Sequence, residues 1–162
     1  MNRTRNPTRR QMLHAAVGMG MGMRVGTGVA LALASRPASA TAEELSAAIT
    51  RFAGGSAVAA GRVNLDVAPL VENGNSVPIT VTVQCPMTSA DHVTAIAVFN
   101  ERNPQRDVAV FRLGPRAGRA VVATRIRLAT SQQLVAVAQM SDGTFWSHTV
   151  DVIVTLAACV ES

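Results

Sequence analysis

An alternation of apolar and polar side chains with a period of two runs through most of the chain after residue 60, and it restricts this region to strands and turns. In VPITVTVQC the apolar series runs from Ile79 to Cys85, with threonine or glutamine between its members. Similar runs follow in DHVTAIAVFN, DVAVFRL, VVATRIRL, QLVAVAQM and FWSHTVDVIVTL, and an earlier strand is expected in GRVNLDV. About seven short strands, with turn signals such as Asp142-Gly143 between them, predict an all-β protein built as an antiparallel β-sandwich.

One short helix is predicted before the strands, in TAEELSAAITRFAGG. Thr41 and Glu44 have the spacing of a capping box, and the Gly54-Gly55 pair is typical of a helix end. Side chains at helical spacing form one apolar face: Leu45, Ala48, Ile49 and Phe52. The helix is therefore expected to pack against the sandwich.

Residues 1–40 have the features of an export signal. The paired Arg9 and Arg10 in TRRQMLH precede a glycine-rich apolar stretch, and PASA ends in the small residues of a cleavage site. The arginine pair is similar to a twin-arginine signal, which predicts transport to the periplasm in the folded state. Cleavage would leave Thr41 as the first residue.

A membrane anchor is the alternative interpretation of this leader. Arg24 opposes it, since an arginine at the centre of a spanning helix costs about 2.5 to 3.5 kcal/mol. The apolar run at residues 25–34 is also too short to cross a bilayer. We therefore predict a removable signal and no stable membrane anchor.

The basic character of the chain belongs mostly to this leader. The net charge is +5, from 15 arginines and 10 acidic residues, but six of the arginines and none of the acids lie before residue 41. The remaining chain carries a net charge of −1, which argues against nucleic acid as a partner. Its later arginines form either a solvated face or an anion-attracting rim around a docking surface: Arg112, Arg116, Arg119, Arg125 and Arg127.

Few side chains after residue 40 are suited to catalysis. His92 follows a predicted turn and is expected to be solvated, and His148 is expected to be a core or edge histidine. The face of the last strand that contains His148 also includes Trp146, Val150, Val152, Val154 and Leu156. No cluster has metal-ligand spacing, and no phosphate loop, nucleophile elbow or carboxylate pair is present. We predict no metal, no cofactor and no catalytic residue.

The two cysteines have different predicted environments. Cys85 is in register with the apolar face of its strand and should be buried and inert. Cys159 follows the last strand, three residues before the end of the sequence, and should be an accessible thiol. A Cys85–Cys159 disulfide is the alternative in an exported protein, provided that the two Cα atoms approach within about 7 Å.

Several segments in a fixed order resemble one family. They are the twin-arginine leader, the helix ending in a glycine pair, APLVENGNSVPITV, AVFNERNP, VATRIRLATSQQLVAVAQMSDGTFW, and a final strand leading to a cysteine near the end of the sequence. Together they resemble SoxY, the sulfur-carrier family of bacterial thiosulfate oxidation, over residues 41–162.

The resemblance implies an immunoglobulin-like sandwich that pairs with SoxZ, a second small β-sandwich protein. It implies a carrier subunit, not an enzyme, whose cysteine holds thiosulfate-derived sulfur while haem-containing and hydrolytic enzymes act on it. By position, Cys159 matches that cysteine. The implied organisation is a signal peptide at 1–40, a carrier domain at 41–156 and a carrier arm at 157–162.

The arm differs from the Gly-Gly-Cys-Gly-Gly sequence of the family. Cys159 is flanked here by Ala157, Ala158 and Val160, which restrict the backbone more than glycine does. The alternative function is therefore a structural or interaction sandwich with a degenerate tail that carries no sulfur, with or without the disulfide described above.

Overall fold

The computed structural model describes residues 42–158. The leader with its Arg9-Arg10 motif, the predicted cleavage site, and Cys159 and Val160 lie outside the described residues. Within the described range, no helix is long and apolar enough to cross a membrane.

Residues 42–158 form one α-helix, α1 (Ala42–Phe52), a short 3-10 helix (Pro115–Ala117) and two packed sheets. The strands are β1 Val58–Ala60, β2 Val63–Asp66, β3 Leu70–Val71, β4 Val77–Val83, β5 Val93–Asn100, β6 Asp107–Arg112, β7 Val121–Ile126, β8 Gln132–Met140 and β9 Phe145–Val154. The larger sheet has the order β1-β9-β8-β5-β6, with β3 also pairing with β9, and the smaller sheet has the order β2-β4-β7. This arrangement confirms the predicted all-β sandwich with a short N-terminal helix.

Two strands depart from the predicted antiparallel pattern. β1 and β3 both pair in parallel with β9, with Val58 opposite Phe145 and Leu70 opposite Ile153. They have three and two residues, too few for an alternating pattern to be recognised in the sequence. The described part of the chain therefore has nine strands, where about seven were expected from turn spacing.

The core between the sheets is built from aliphatic side chains. On β4 the predicted alternation is present, because Val77, Ile79, Val81 and Val83 are buried while Thr80 and Thr82 are half-buried. These residues face the inner side of β5 and β8, where Ile96, Val98 and Leu134 are fully buried.

Helix α1 covers the outer side of the larger sheet. Leu45 and Ala48 are buried there, and the Phe52 ring lies edge-on to the rings of Phe99 and Phe145, each with its centroid 5.9 Å away. β5 and β8 are thus buried on both faces, which is why they are apolar almost throughout. The helix ends at Gly54 and Gly55, whose φ angles are +61° and +83°.

The predicted apolar face of β9 is largely confirmed. Trp146, Val150, Val152 and Val154 all pack against the core between the sheets. The prediction is wrong for Leu156, which lies beyond the end of β9 and is 61% exposed.

The predicted hairpin between β8 and β9 is confirmed. Gly143 has a φ of +83°, and Asp142 Oδ1 accepts hydrogen bonds from the Thr144 N–H and hydroxyl. These bonds, with a smaller contribution from the nearby Arg62, lower the pKa of the Asp142 carboxyl.

Candidate functional site

The chain remains attached to the domain after β9 ends at Val154. The Val154 N–H donates to Ser131 Oγ at 2.9 Å, and the Thr155 N–H donates to the Val71 carbonyl at 3.0 Å. Thr155 Oγ1 is also within 3.5 Å of that carbonyl oxygen. Thr155 and Val154, at the end of β9, are therefore hydrogen-bonded to β3 and to the turn before β8, respectively.

Three further backbone hydrogen bonds continue this attachment and form what we call the arm-base ladder, made by Gly74, Leu128, Leu156 and Ala158. The Gly74 N–H donates to the Leu156 carbonyl at 2.8 Å, and the Leu128 N–H donates to the Gly74 carbonyl at 2.8 Å. The Ala158 N–H donates to the Leu128 carbonyl at 3.1 Å. Two loops distant in sequence thus hold the segment that leads to Cys159.

Gly74 is required in this ladder because there is no room for a side chain. A Cβ added to Gly74 would lie 2.3 Å from the Leu128 carbonyl oxygen and 2.9 Å from the Ala158 nitrogen. Both are backbone atoms, which cannot rotate away as a flexible side chain could. The close approach of the three chain segments therefore depends on the absence of a Cβ.

Asn103 fixes the loop that contains Leu128. Its Nδ2 donates to the Arg127 carbonyl at 2.7 Å, and its Oδ1 accepts from the Ala129 N–H at 3.0 Å. The same Oδ1 accepts from Gln132 Nε2 at 2.7 Å, and Gln132 is only 5% exposed. Because one side chain bonds on both sides of Leu128, the carbonyl that holds Ala158 has a defined direction.

The predicted arm residues differ in their surroundings. Ala157 is exposed, whereas Ala158 is buried at 6% exposure and bonded to Leu128. Cys159 and Val160 lie outside the described residues, so their assignment as attachment site and arm stays a prediction. Among the described residues, the predicted arm is attached to the domain through its second residue.

The prediction that Cys85 is a buried strand residue is wrong, although its side chain does pack against the core as predicted. β4 ends at Val83, and Cys85 is a free, half-buried thiol in the loop that follows. Its Sγ is 3.5 Å from the Asp91 carbonyl oxygen and 3.7 Å from Asp91 Oδ1, and its side chain contacts the edge of the core. Pro86, which has no backbone N–H to continue the ladder, and Met87, with a φ of +53°, follow in the turn.

The positions of Cys85 and Ala158 argue against a disulfide between Cys85 and Cys159. Gly74 and Ala158 lie at the end of the sandwich where β4 begins, and Cys85 follows the other end of β4. A seven-residue strand spans about 20 Å at about 3.3 Å per residue. A residue bonded to Ala158 lies within about 3.8 Å of it, and a disulfide needs Cα atoms within about 7 Å. Pairing would therefore require the arm-base ladder to break.

We expect the Cys85→Ser substitution to change the free energy of unfolding by less than about 1 kcal/mol, because the half-buried hydroxyl can donate to the Asp91 carbonyl as the thiol does. Urea denaturation of the reduced proteins measures this change. Cys85→Val, which removes the donor and keeps an apolar side chain, is the matched control. A loss above about 3 kcal/mol in the serine variant would show that the thiol is a core residue after all.

The two histidines have structural surroundings. His92 was predicted to be solvated but is half-buried, and its backbone exchanges hydrogen bonds with Ser141 in the β8–β9 hairpin. His148 Nδ1 accepts from the Leu65 N–H at 2.9 Å and so links the two sheets, as expected for a core or edge histidine. In the part of the chain that the structure describes, no group of three or more His, Cys, Asp or Glu side chains could hold a metal ion.

Comparison with protein families identifies the chain. The model of the sulfur oxidation protein SoxY matches residues 49–159, which include both loops of the arm-base ladder and extend to Cys159. The chain belongs to the SoxY family. A search of curated proteins gave no significant match.

Solved structures agree with the SoxY assignment. The sulfur carrier protein SoxY from Chlorobium limicola f thiosulfatophilum is 29% identical, with a TM-score of 0.58 over 72% of this chain and 100% of that chain. A superoxide reductase (neelaredoxin) from Ignicoccus hospitalis is 16% identical, with a TM-score of 0.52 over 58% of this chain and 80% of that one. The superoxide reductase from Nanoarchaeum equitans is 11% identical, with a TM-score of 0.51 over 59% and 100%. At such low identity the reductases show a common fold and nothing more.

Three residues that shape the arm-base ladder in this SoxY-family chain were not predicted as site residues: Gly74, Asn103 and Leu128. Gly74 belongs to VENGNSVP and Asn103 to AVFNERNP, two of the segments that carry the family resemblance. Leu128 belongs to a third, VATRIRLATSQQ. The sequence thus contained a signal for them, since three segments of the resemblance meet in space at the arm base.

Proposed function

We propose that this SoxY-family protein is a sulfur carrier that binds thiosulfate-derived intermediates covalently through Cys159 and presents them to separate enzymes. The observation that supports this most directly is the arm-base ladder, in which Gly74 bonds Leu156 and Leu128 bonds Ala158, the residue before Cys159. The SoxY family match extends to Cys159, so the ladder holds the chain to the domain directly before a residue that the family model includes.

The proposed chemistry uses the thiolate of Cys159. A haem-containing enzyme joins the thiolate to the outer sulfur of thiosulfate and takes up the two electrons released as the S–S bond forms. A hydrolytic enzyme then adds water, releases sulfate and leaves one sulfur atom on the cysteine for further oxidation. In this scheme the protein is a substrate carrier, and the catalytic groups belong to its partners.

The proposal includes a partner and a compartment. We infer that the chain is exported to the periplasm by the twin-arginine route through its Arg9-Arg10 motif, with Thr41 as the mature N-terminus. We infer also that it forms a heterodimer with a SoxZ-like β-sandwich subunit.

Mass spectrometry of protein purified from the periplasm of thiosulfate-fed cells tests the proposal. We expect sulfur-containing adducts on the C-terminal peptide that are removed by reduction, on a chain that begins at Thr41. Unfed cells provide the control. An unmodified Cys159 under all conditions would favour the alternative, a sandwich with a tail that carries no sulfur. A retained leader would contradict the proposed export independently of the carrier role.

A further inference from the structure

One edge of the sandwich carries a concentration of unpaired positive charge. It consists of β6, β7, the connection Leu113–Ala120 and Arg127, and we call it the β6–β7 edge. It contains five of the nine arginines in residues 42–158 but only one of the nine carboxylate side chains, Asp107. All five arginines are exposed, and none forms an ion pair with a described residue: Arg112, Arg116, Arg119, Arg125 and Arg127.

This concentration separates the charge of the described domain into two regions. The β6–β7 edge has a net charge of +4 and the rest of residues 42–158 has −4, so the domain is neutral in total. A surface of this kind attracts and orients an acidic partner before contact. Scattered arginines of a merely solvated surface would be interspersed with acidic residues, as they are elsewhere in this domain.

Both strands of this edge have one side without a strand partner. β6 ends the larger sheet and pairs only with β5, while β7 ends the smaller sheet and pairs only with β4. β2 packs across β8 and β9, so β7 lies on the same side of the sandwich as β6. Each therefore offers a row of backbone N–H and carbonyl groups that the described residues leave unbonded along that side.

Apolar surface accompanies the free edge of β6. Val110 is 48% exposed, and beside it a pocket of about 170 Å³ lies between α1 and β6, lined by Phe52 and Phe99 together with Val110. On β7, Val121 is 45% exposed. A strand added to β6 would bond to the backbone of the edge and could place an apolar side chain into this pocket.

The net charge of the β6–β7 edge indicates whether a second copy of this chain or a different protein binds there. Two β6–β7 edges brought together would each carry a net charge of +4, and this repulsion opposes pairing of two copies. A partner whose free strand carries carboxylates meets the same arginines favourably.

We propose that the β6–β7 edge is the docking surface for an acidic protein partner that adds an extended strand to β6. The edge leads directly to the arm base, because β7 continues through Arg127 to Leu128, whose carbonyl bonds Ala158. A protein docked there lies beside the residue that precedes Cys159. The inference rests on the proposed function only for the choice of partner in the test.

Titration of the full mature chain with a purified SoxZ-like subunit tests the inference. We expect the affinity to fall with increasing salt, and the Arg112→Glu/Arg119→Glu variant to bind about tenfold or more weakly, mainly through slower association. The matched control is Arg62→Glu, compared with Arg112→Glu alone. It makes the same change of charge beside β2, at the opposite side of the smaller sheet from β7, and should bind within about twofold of the wild type. Hydrogen exchange on the complex should show new protection at Asp107–Arg112.

Other results would overturn the inference. These are no binding of the subunit, equal weakening by Arg112→Glu and Arg62→Glu, or protection only outside the β6–β7 edge. If heparin or anionic vesicles compete fully with the subunit and β6 gains no protection, the edge is a general anion-binding surface. If the chain associates with itself through β6, the partner is a second copy. Sulfur adducts on Cys159 would still support the carrier role in each case.

Discussion

The Cys159→Ser protein is expected to fold normally and to carry no sulfur. Thiosulfate-dependent respiration of cells with this variant as the only copy should fall to the level of a deletion strain, because the hydroxyl of serine is a far weaker nucleophile than a thiolate and forms no S–S bond. The free energy of unfolding should change by no more than about 0.5 kcal/mol, because Cys159 follows the last strand of the sandwich and substitutions outside helices and strands usually change stability little. Oxygen uptake and urea denaturation measure the two effects.

Cys85→Ser is the matched control, since it removes the other thiol of the chain. Cells with this variant should respire on thiosulfate at the wild-type rate, and the purified protein should still show adducts on its C-terminal peptide. If the Cys159→Ser strain respires normally, the cysteine is not the attachment site. Loss of respiration in both variants would point to a role for the pair of thiols, such as the disulfide that the position of Ala158 disfavours.

The Gly74→Val substitution should destabilise the domain by about 3 kcal/mol, at the upper end of what an overpacked buried site usually costs. The new side chain would begin 2.3 Å from the Leu128 carbonyl oxygen, so the loops must separate and the arm-base ladder must lengthen or break. The midpoint of urea denaturation should fall accordingly. The Ala158 amide should also lose its protection from hydrogen exchange, because its acceptor moves away.

Gly114→Ala is the matched control for this substitution. Gly114 has a φ of −147°, and nothing lies within 4 Å of a Cβ built on it. Alanine there should change the stability by no more than about 0.5 kcal/mol and should leave the Ala158 amide protected. If Gly74→Val proves as stable as Gly114→Ala, the close approach at Gly74 is not a constraint on the fold.

The parts of the fold that local patterns determine could be predicted from the sequence. β4 follows from its alternating valines and threonines, and α1 follows from the spacing of Leu45 and Ala48 and from the glycine pair after it. β1 and β3 could not be predicted, because two or three residues become a strand only through pairing with β9.

The arm-base ladder of the candidate site could not be predicted from local sequence patterns either. Nothing in the sequence around Ala158 indicates burial, since its hydrogen-bond acceptor is Leu128 and the space that it enters is left by Gly74. Similarly, the position of Cys85 depends on where β4 ends, which the alternating pattern does not reveal because Cys85 continues it. Contacts between segments far apart in the chain decided the first case, and the local turn at Pro86 and Met87 decided the second.

The anchoring of Ala158 has a consequence for how enzymes would share the carrier. Cys159 follows Ala158 directly in the sequence, and the ladder holds Ala158 to the domain, so the described chain ends at a fixed point immediately before the cysteine. Any enzyme that reacts with the cysteine must then enclose this end of the sandwich, and two enzymes cannot enclose it at once. Successive reactions would be separated by complete release, and their order would be set by how strongly each enzyme prefers the chemical group that the cysteine holds at that moment.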